Sequence, residues 1–370
     1  MDIALLAIGT ALPPYKLSQE EIGELISCGF HLSPAEKRLL KAIYRASGIQ
    51  FRFSVLSDCV KLPGQFEFFP NHPQGLFPST AARMQIYKQN ALQLALAAIE
   101  NCLAKLDGID KKEITHLITV SCTGMYAPGI DIELVQHLQL PSSTKRTTIN
   151  FMGCYGAFNG MKVADSICRA EPKAKVLVVC VELCTIHFQR KMGLDNLVSN
   201  AIFADGAAAV LIQAQPVAEK KYFRFQHFYC DLLPQTSRDM AWEIADSGFD
   251  IVLSSYVPEA IHSGIAAFVQ RLLVHSKMKR NEFDFFAIHP GGIKILQACE
   301  QALNITKEQN KSAYQVLQNY GNMSSATILF VLQELWSELT STDHHKNIFC
   351  CAFGPGLTLE SMVLKAHLPG

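Results

Sequence analysis

The 370-residue sequence predicts a layered α/β protein, and three observations carry that expectation. Short apolar runs rich in Val, Ile and Ala recur along the chain. Stretches with apolar residues at helical spacing separate them. Turns containing Gly or Pro mark the joins. Strands buried on both faces give such near-continuous runs, and their alternation with helices implies a sheet covered by helices.

Taken in order, residues 3–8 read as a first strand, and 81–106 as a long helix. The strand 117–121 follows, then helical spacing over 130–138 and 161–169, then strands at 175–181 and 207–212. The stretch 57–79, with four prolines and four phenylalanines, is expected to be irregular. A polar segment at 213–222, with Pro216 and two lysines, is the expected boundary between a unit 1–215 and a unit 216–370. The second unit repeats the theme: strand 283–288, helix 291–302, helix 324–339 and a closing strand pair at 347–353 and 357–365. Each unit has a small-residue turn feeding a helix, so the order of elements reads as an internal duplication.

Composition excludes several classes. Lys plus Arg number 33 and Asp plus Glu 33, so zero formal charge gives no electrostatic case for a nucleic-acid or anionic-membrane partner. Apolar residues at 49% exceed what a disordered chain carries, and no apolar run approaches the roughly 18–20 residues of a membrane span. The opening Met1-Asp2-Ile3 reads as strand and not as a secretory signal. Twelve cysteines without a C-x-x-C spacing match no metal pattern or disulfide framework; free thiols in a reducing, cytoplasmic setting are expected, and no metal.

Three residues stand out chemically. Cys154 lies in Gly153-Cys154-Tyr155-Gly156, a tight turn opening onto a helix. A helix N-terminus stabilises a thiolate, so its pKa is expected below the free value of about 8.5. Against this stands the ordinary buried cysteine, which packs as a small hydrophobe. His289 ends the apolar run before Pro290-Gly291-Gly292, a place for an acid/base group or a hydrogen-bond donor as well as for a structural histidine. Asn322, in Tyr320-Gly321-Asn322-Met323, alone reads as a turn or cap residue. A Cys–His–Asn set also occurs in papain-like proteases, and 135 residues separate Cys154 from His289, inside the interval of about 130–150 for that class. Papain-type cysteines, however, lie near the mature N-terminus in a different motif, whereas Cys154 follows 153 residues of α/β pattern.

The whole chain resembles the type III polyketide synthases, the chalcone and stilbene synthase family of the thiolase superfamily, with bacterial-like features. The resemblance rests on Gly153-Cys154-Tyr155-Gly156, Val176-Leu177-Val178-Val179-Cys180-Val181-Glu182, Phe203-Ala204-Asp205-Gly206, Ile288-His289-Pro290-Gly291-Gly292, Tyr320-Gly321-Asn322-Met323-Ser324-Ser325-Ala326 and Phe353-Gly354-Pro355-Gly356. It implies a five-layered α/β/α/β/α thiolase-like fold of two duplicated halves and a homodimer. It also implies a condensing acyltransferase that takes an acyl-CoA starter on Cys154 and extends it with malonyl-CoA, without a cofactor. His289 and Asn322 would bind the thioester carbonyl. The alternative within the superfamily is a single-round 3-oxoacyl synthase of fatty-acid synthesis; a catalytically idle scaffold is the alternative outside enzymes.

By the same resemblance, Phe203 is a gate between the CoA tunnel and the cavity, and Ile251 stands at the second, usually aromatic, gate position. Cys122 replaces a wall threonine and is read as wall or ancillary thiol. His187 either hydrogen-bonds a cyclising intermediate or fills space. Trp242 narrows the pocket, Ser324 borders Asn322, and Lys41 and Arg45 on an early helix would grip the CoA phosphates.

Overall fold

The computed structural model describes residues 2–233, 236, 239–254 and 256–369. The first half runs β1 (Ile3–Ala11), β2 (Tyr15–Ser18), α1 (Gln19–Gly29), α2 (Pro34–Ala46), β3 (Phe51–Ser54), α3 (Thr80–Leu103), β4 (His116–Ser121) and α4 (Ile130–His137). It continues with β5 (Lys145–Asn150), α5 (Gly156–Ala170), β6 (Lys175–Leu183), α6 (Leu194–Ile202) and β7 (Asp205–Ala214). The second half has β8 (Tyr222–Leu232), a hairpin of β9 (Met240–Ala245) and β10 (Gly248–Leu253), α7 (Val257–Ser276), β11 (Phe283–Ile288) and α8 (Ile293–Leu303). It ends with α9 (Lys311–Tyr320), α10 (Thr327–Glu338), β12 (Asn347–Gly354) and β13 (Thr358–His367).

Strand order displays the duplication directly. The first half-sheet is ordered β5-β4-β6-β7-β1 and the second β11-β12-β13-β8. In both, the strands on the β4 and β11 side run parallel and the rest antiparallel. Among the described residues, the two half-sheets pair strand to strand at Ala4↔Arg224 and Leu5↔Phe223. The second half has no counterpart of β5 among the described residues. Ahead of α10 the chain makes a single bridge, Phe203↔Asn322.

Helices α5 and α10 lie between the half-sheets, α5 touching β4, β6, β7 and β13, and α10 touching β1, β7 and β11. Helix α3 covers the outer face of the first sheet, and α7 and α8 pack together outside the second, giving five alternating layers. The apolar runs follow from this layering. In β6, Val176, Val178 and Cys180 enter the core around α5, whereas Leu177, Val179 and Val181 enter the core under α3. A strand covered on both faces cannot alternate with polar residues.

Several boundaries moved. The helix expected from residue 291 begins at Ile293, after Gly291 and Gly292, and the one expected from 324 is a 3-10 turn, Ser324–Ala326, before α10. The stretch 57–79 is irregular apart from one 3-10 turn at its start. The buried Asp58 carboxylate holds it by accepting the main-chain N–H groups of Glu67, Phe68 and Phe69 at 2.7, 2.9 and 2.8 Å. Of the described helices, none is long and apolar enough to cross a membrane.

Candidate active site

Cys154 and His289 each sit just past the end of a strand, and Asn322 lies two residues past the end of α9, at an isolated bridge to Phe203. After β5 the backbone turns through Phe151 at φ +60° and Gly153 at φ +75°, and a 3-10 turn, Gly153–Tyr155, carries Cys154 into α5. Gly153 is required twice over: its φ is left-handed, and a Cβ there would lie 2.4 Å from Pro355 Cδ. His289 extends β11 by one residue, its N–H donating to Cys351 O at 2.8 Å. Asn322 is pinned through its main chain, donating to Ile202 O at 2.8 Å and accepting from Ala204 N at 2.9 Å. Its side-chain Oδ1 accepts from Ser324 N at 2.9 Å, and both Oδ1 and Nδ2 lie 3.9 Å from Cys154 Sγ. Ser324 takes φ +47° to make that bond.

Cys154, His289 and Asn322 all line one cavity of about 320 Å³. The elements bearing them come from both halves of the chain, the architecture expected of a site at a domain junction. Both ring nitrogens of His289 are buried and have no hydrogen-bond partner among the described residues. A buried polar atom with no partner is costly, so an open pair of this kind points to a ligand that completes it.

The expected low pKa of Cys154 is not what the surroundings produce. Burial of its sulfur pushes the thiol up to about 12, with hydrogen bonds from Ser324 and Asn322 acting the other way. Burial likewise holds His289 down to about 3. The helix N-terminus is present, but desolvation outweighs it, and burial favours the neutral form of both groups.

The remaining sequence-selected residues divide. Phe203, Cys122, His187, Ile251, Ser324 and Trp242 all line the cavity. Lys41 and Arg45 do not: α2 turns Ile43, Ala46 and Ser47 toward it, and Lys41 pairs with Glu24 at 2.5 Å. Residues two apart in a helix point to different faces, so Lys41 and Arg45 lie off the face that carries Ile43.

His187 does not offer a hydrogen bond to the cavity. Its Nε2 bonds Thr123 O at 2.7 Å and its Nδ1 accepts from Phe249 N at 3.0 Å, which assigns the proton to Nε2. Its ring stacks on Phe249 at 4.3 Å and meets Trp242 edge-on at 5.6 Å. Burial holds it down to about 3, so it is a neutral anchor for β10. Trp242 in turn donates from Nε1 to Cys122 O at 2.8 Å. Phe249, Ile251 and Leu253 line the cavity together because alternate residues of β10 share a face, and Phe249 supplies the aromatic surface that Ile251 lacks. Cys122 Sγ accepts from Gly153 N at 2.9 Å, bracing the turn that carries Cys154.

Two residues escaped the sequence reading as functional parts. The fully buried Glu182 carboxyl accepts from Cys122 N at 2.9 Å, Thr123 Oγ1 at 2.7 Å and the Ser325 hydroxyl, tying β4, β6 and the turn before α10 together. Burial raises its pKa. Arg52, also buried, donates to Phe203 O at 2.6 Å and Asn200 O at 2.8 Å, fixing the Phe203 segment against Asn322. The available signal for Glu182 was an acid at the end of a strand otherwise wholly apolar from Val176 to Val181. Such a residue needs internal partners.

The family models for the N-terminal and C-terminal domains of chalcone and stilbene synthases match residues 2–216 and 225–367. The chain belongs to the chalcone and stilbene synthase family. It is a type III polyketide synthase, a condensing acyltransferase; the single-round ketoacyl synthase is not favoured. Among curated relatives of this family, "Type III polyketide synthase 21" of Oryza sativa is 32% identical over 98% of this chain and 93% of its own length. "Alpha-pyrone synthesis polyketide synthase-like Pks18" of Mycobacterium tuberculosis is 30% identical, covering 96% and 89%. "Probable polyketide synthase 1" of Dictyostelium discoideum is 31% identical, and the chain spans only 11% of that protein. The solved type III domain of Steely1, a type I/III hybrid from Dictyostelium, superposes with a TM-score of 0.89 at 29% identity, covering both chains fully. Chalcone and stilbene synthases as a family use acyl-CoA and malonyl-CoA.

Proposed function

We propose that this enzyme loads an acyl-CoA starter on Cys154 and extends it by repeated decarboxylative Claisen condensation with malonyl-CoA, closing the product to a pyrone, resorcinol or related polyphenol. The observation that carries the reading is that the unpartnered His289 ring, Cys154 and Asn322 line one cavity, with Asn322 Nδ2 3.9 Å from Cys154 Sγ. Unit 1–215 supplies the nucleophile, and unit 216–370 the histidine and the amide.

Loading begins when His289 takes the Cys154 proton as the sulfur attacks the starter thioester. A C–S bond forms, the bond to CoA sulfur breaks, and the proton passes to the leaving thiolate. Malonyl-CoA then loses carbon dioxide, and the electron pair left behind forms an enolate. Donors on His289 and Asn322 stabilise its oxygen where charge develops. The enolate carbon attacks the Cys154 thioester, making a C–C bond and releasing the Cys154 thiolate for the next round. Loss of carbon dioxide drives the step, so the chemistry as written needs no metal or cofactor.

A homodimer is part of this reading. Its support is β5, an edge strand whose residues Lys145 to Thr148 are exposed and whose outer backbone groups lack a partner strand. Light scattering during size-exclusion chromatography tests it. For the reaction, purified protein is given malonyl-CoA and a panel of acyl-CoA starters, with products read by mass spectrometry. Triketides or tetraketides support the proposal. Only singly extended products, or condensation retained by Cys154→Ala, overturn it.

A further inference from the structure

The β9–β10 hairpin forms a two-stranded sheet of its own, so no ladder to the nine-stranded sheet fixes its place. Yet Trp242, Phe249, Ile251 and Leu253 on it all line the cavity. The start of α3 grips its turn. Thr80 N donates to Asp246 O at 2.8 Å, the Thr80 hydroxyl donates to Ala245 O, and Gly248 N donates to Thr80 Oγ1 at 2.7 Å. Three residues further along α3 lies Arg83, fully buried and not part of the cavity lining. Its Nε donates to Pro78 O at 2.9 Å, and its Nη1 to Ile186 O and, at 3.1 Å, to Phe188 O. Gly248 lies directly against it: φ there is +115°, and a Cβ would lie 2.9 Å from Arg83 Cδ and Nε. Arg83 thus touches both sides of one hydrogen bond, the carbonyls flanking His187 and the residue before Phe249, whose N–H reaches His187 Nδ1 at 3.0 Å. Arg83 Nη2 and Asp250 Oδ1 are both buried without a hydrogen-bond partner among the described residues. Burial lowers Arg83 to about 10, the Asp250 carboxylate acting the other way, so the group is a cation at neutral pH.

We propose that Arg83 is a positioning residue for the reaction: from behind the cavity it holds the His187–Phe249 pair, and through that pair the β9–β10 wall. An apolar side chain of its volume would pack there without desolvating a charge. It could not bind carbonyls that face it from two segments, Pro78 on one side and Ile186 and Phe188 on the other, which takes the planar guanidinium fork. For its effect on turnover the inference rests on the proposed condensing function; for the place of the wall it rests on the contacts alone.

The test reads the wall and the chemistry separately. The chain has two tryptophans, so Trp336→Phe leaves Trp242 on the hairpin as the sole indole reporter. In that background Arg83→Met, which keeps the stem and removes the fork, should move Trp242 emission to longer wavelength as water reaches the ring. Gly248→Ala meets the same contact from the hairpin side with Arg83 intact, and should do the same. Arg83→Lys keeps the charge without the fork and should behave as Arg83→Met. In turnover, the KM for the acyl-CoA starter should rise about tenfold, as for loss of one buried apolar contact. Starter-free decarboxylation of malonyl-CoA, which depends on His289 and Asn322, should stay within about twofold of wild type. Unchanged emission, full recovery by lysine, or an equal fall in both activities overturns the inference. Shifted emission with no extended product from wild-type protein would remove the condensing function and leave the support of the wall standing.

Discussion

Gly153 offers a prediction in which two costs can be separated. Replacing it with alanine puts a Cβ on a residue at φ +75°, and that Cβ would lie 2.4 Å from Pro355 Cδ. The left-handed backbone costs about 1–2 kcal/mol for an L-residue. Overpacking against a ring adds about 1–3 kcal/mol. Gly108 is the control: its φ is +74°, and a Cβ there would meet nothing within 4 Å. Gly108→Ala therefore incurs only the backbone cost, while Gly153→Ala incurs both. Urea melts of the two variants should differ by about 1–3 kcal/mol, Gly153→Ala being the weaker. The same substitution shifts Cys154 and the N–H that Gly153 donates to Cys122, so condensing activity should fall about a hundredfold for a displacement near 1 Å. Equal stability of the two variants, or full activity in Gly153→Ala, would refute the account of how the nucleophile turn is held.

Glu182→Gln should melt within about 1 kcal/mol of wild type, because one amide oxygen still accepts from Cys122 N and Thr123, whereas Glu182→Leu strands those donors and should lose about 2–5 kcal/mol. Urea melts of the pair decide this, and equal losses would count against the network. His187 has a folded pKa of about 3, below the unfolded value near 6.5, so the unfolded chain binds the extra proton first on acidification. Its contribution is complete above pH 6.5 and declines by about 1.4 kcal/mol per unit below it. The stability difference between wild type and His187→Gln should therefore shift against wild type by about 2 kcal/mol from pH 7.5 to 5.0; no shift would mean that the ring is already protonated. For Cys154, raised to about 12, the rate of alkylation by iodoacetamide in the free enzyme should keep climbing through pH 9. A plateau below pH 8 would show a thiolate stabilised before substrate arrives.

The correspondence between sequence and site is uneven for identifiable reasons. Cys154, His289 and Asn322 were visible because glycine turns are local features, two at strand ends and one at the end of α9, and local chemistry is written in adjacent residues. The wall residues Cys122, His187 and Trp242 could be placed by resemblance, but the two choices left open for His187 depended on whether its nitrogens were free. That was decided by Thr123 O and Phe249 N, which lie 64 and 62 residues away. Lys41 and Arg45 were chosen by resemblance and charge, and the helix register places Ile43 and Ala46 along the cavity. Arg52 gave no local signal at all, since its partners are carbonyls of Asn200 and Phe203.

By itself, the sequence determined the alternation of strands and helices, the repeat of that order and the three residues at glycine turns, because hydrophobic period and turn chemistry act over a few residues. The tertiary structure alone decided the protonation of Cys154 and His289 and the internal bonding of His187 and Trp242. Each of those depends on how much water is excluded and which distant main-chain groups are brought within about 3 Å, and neither quantity exists until the two half-sheets close on their shared helices.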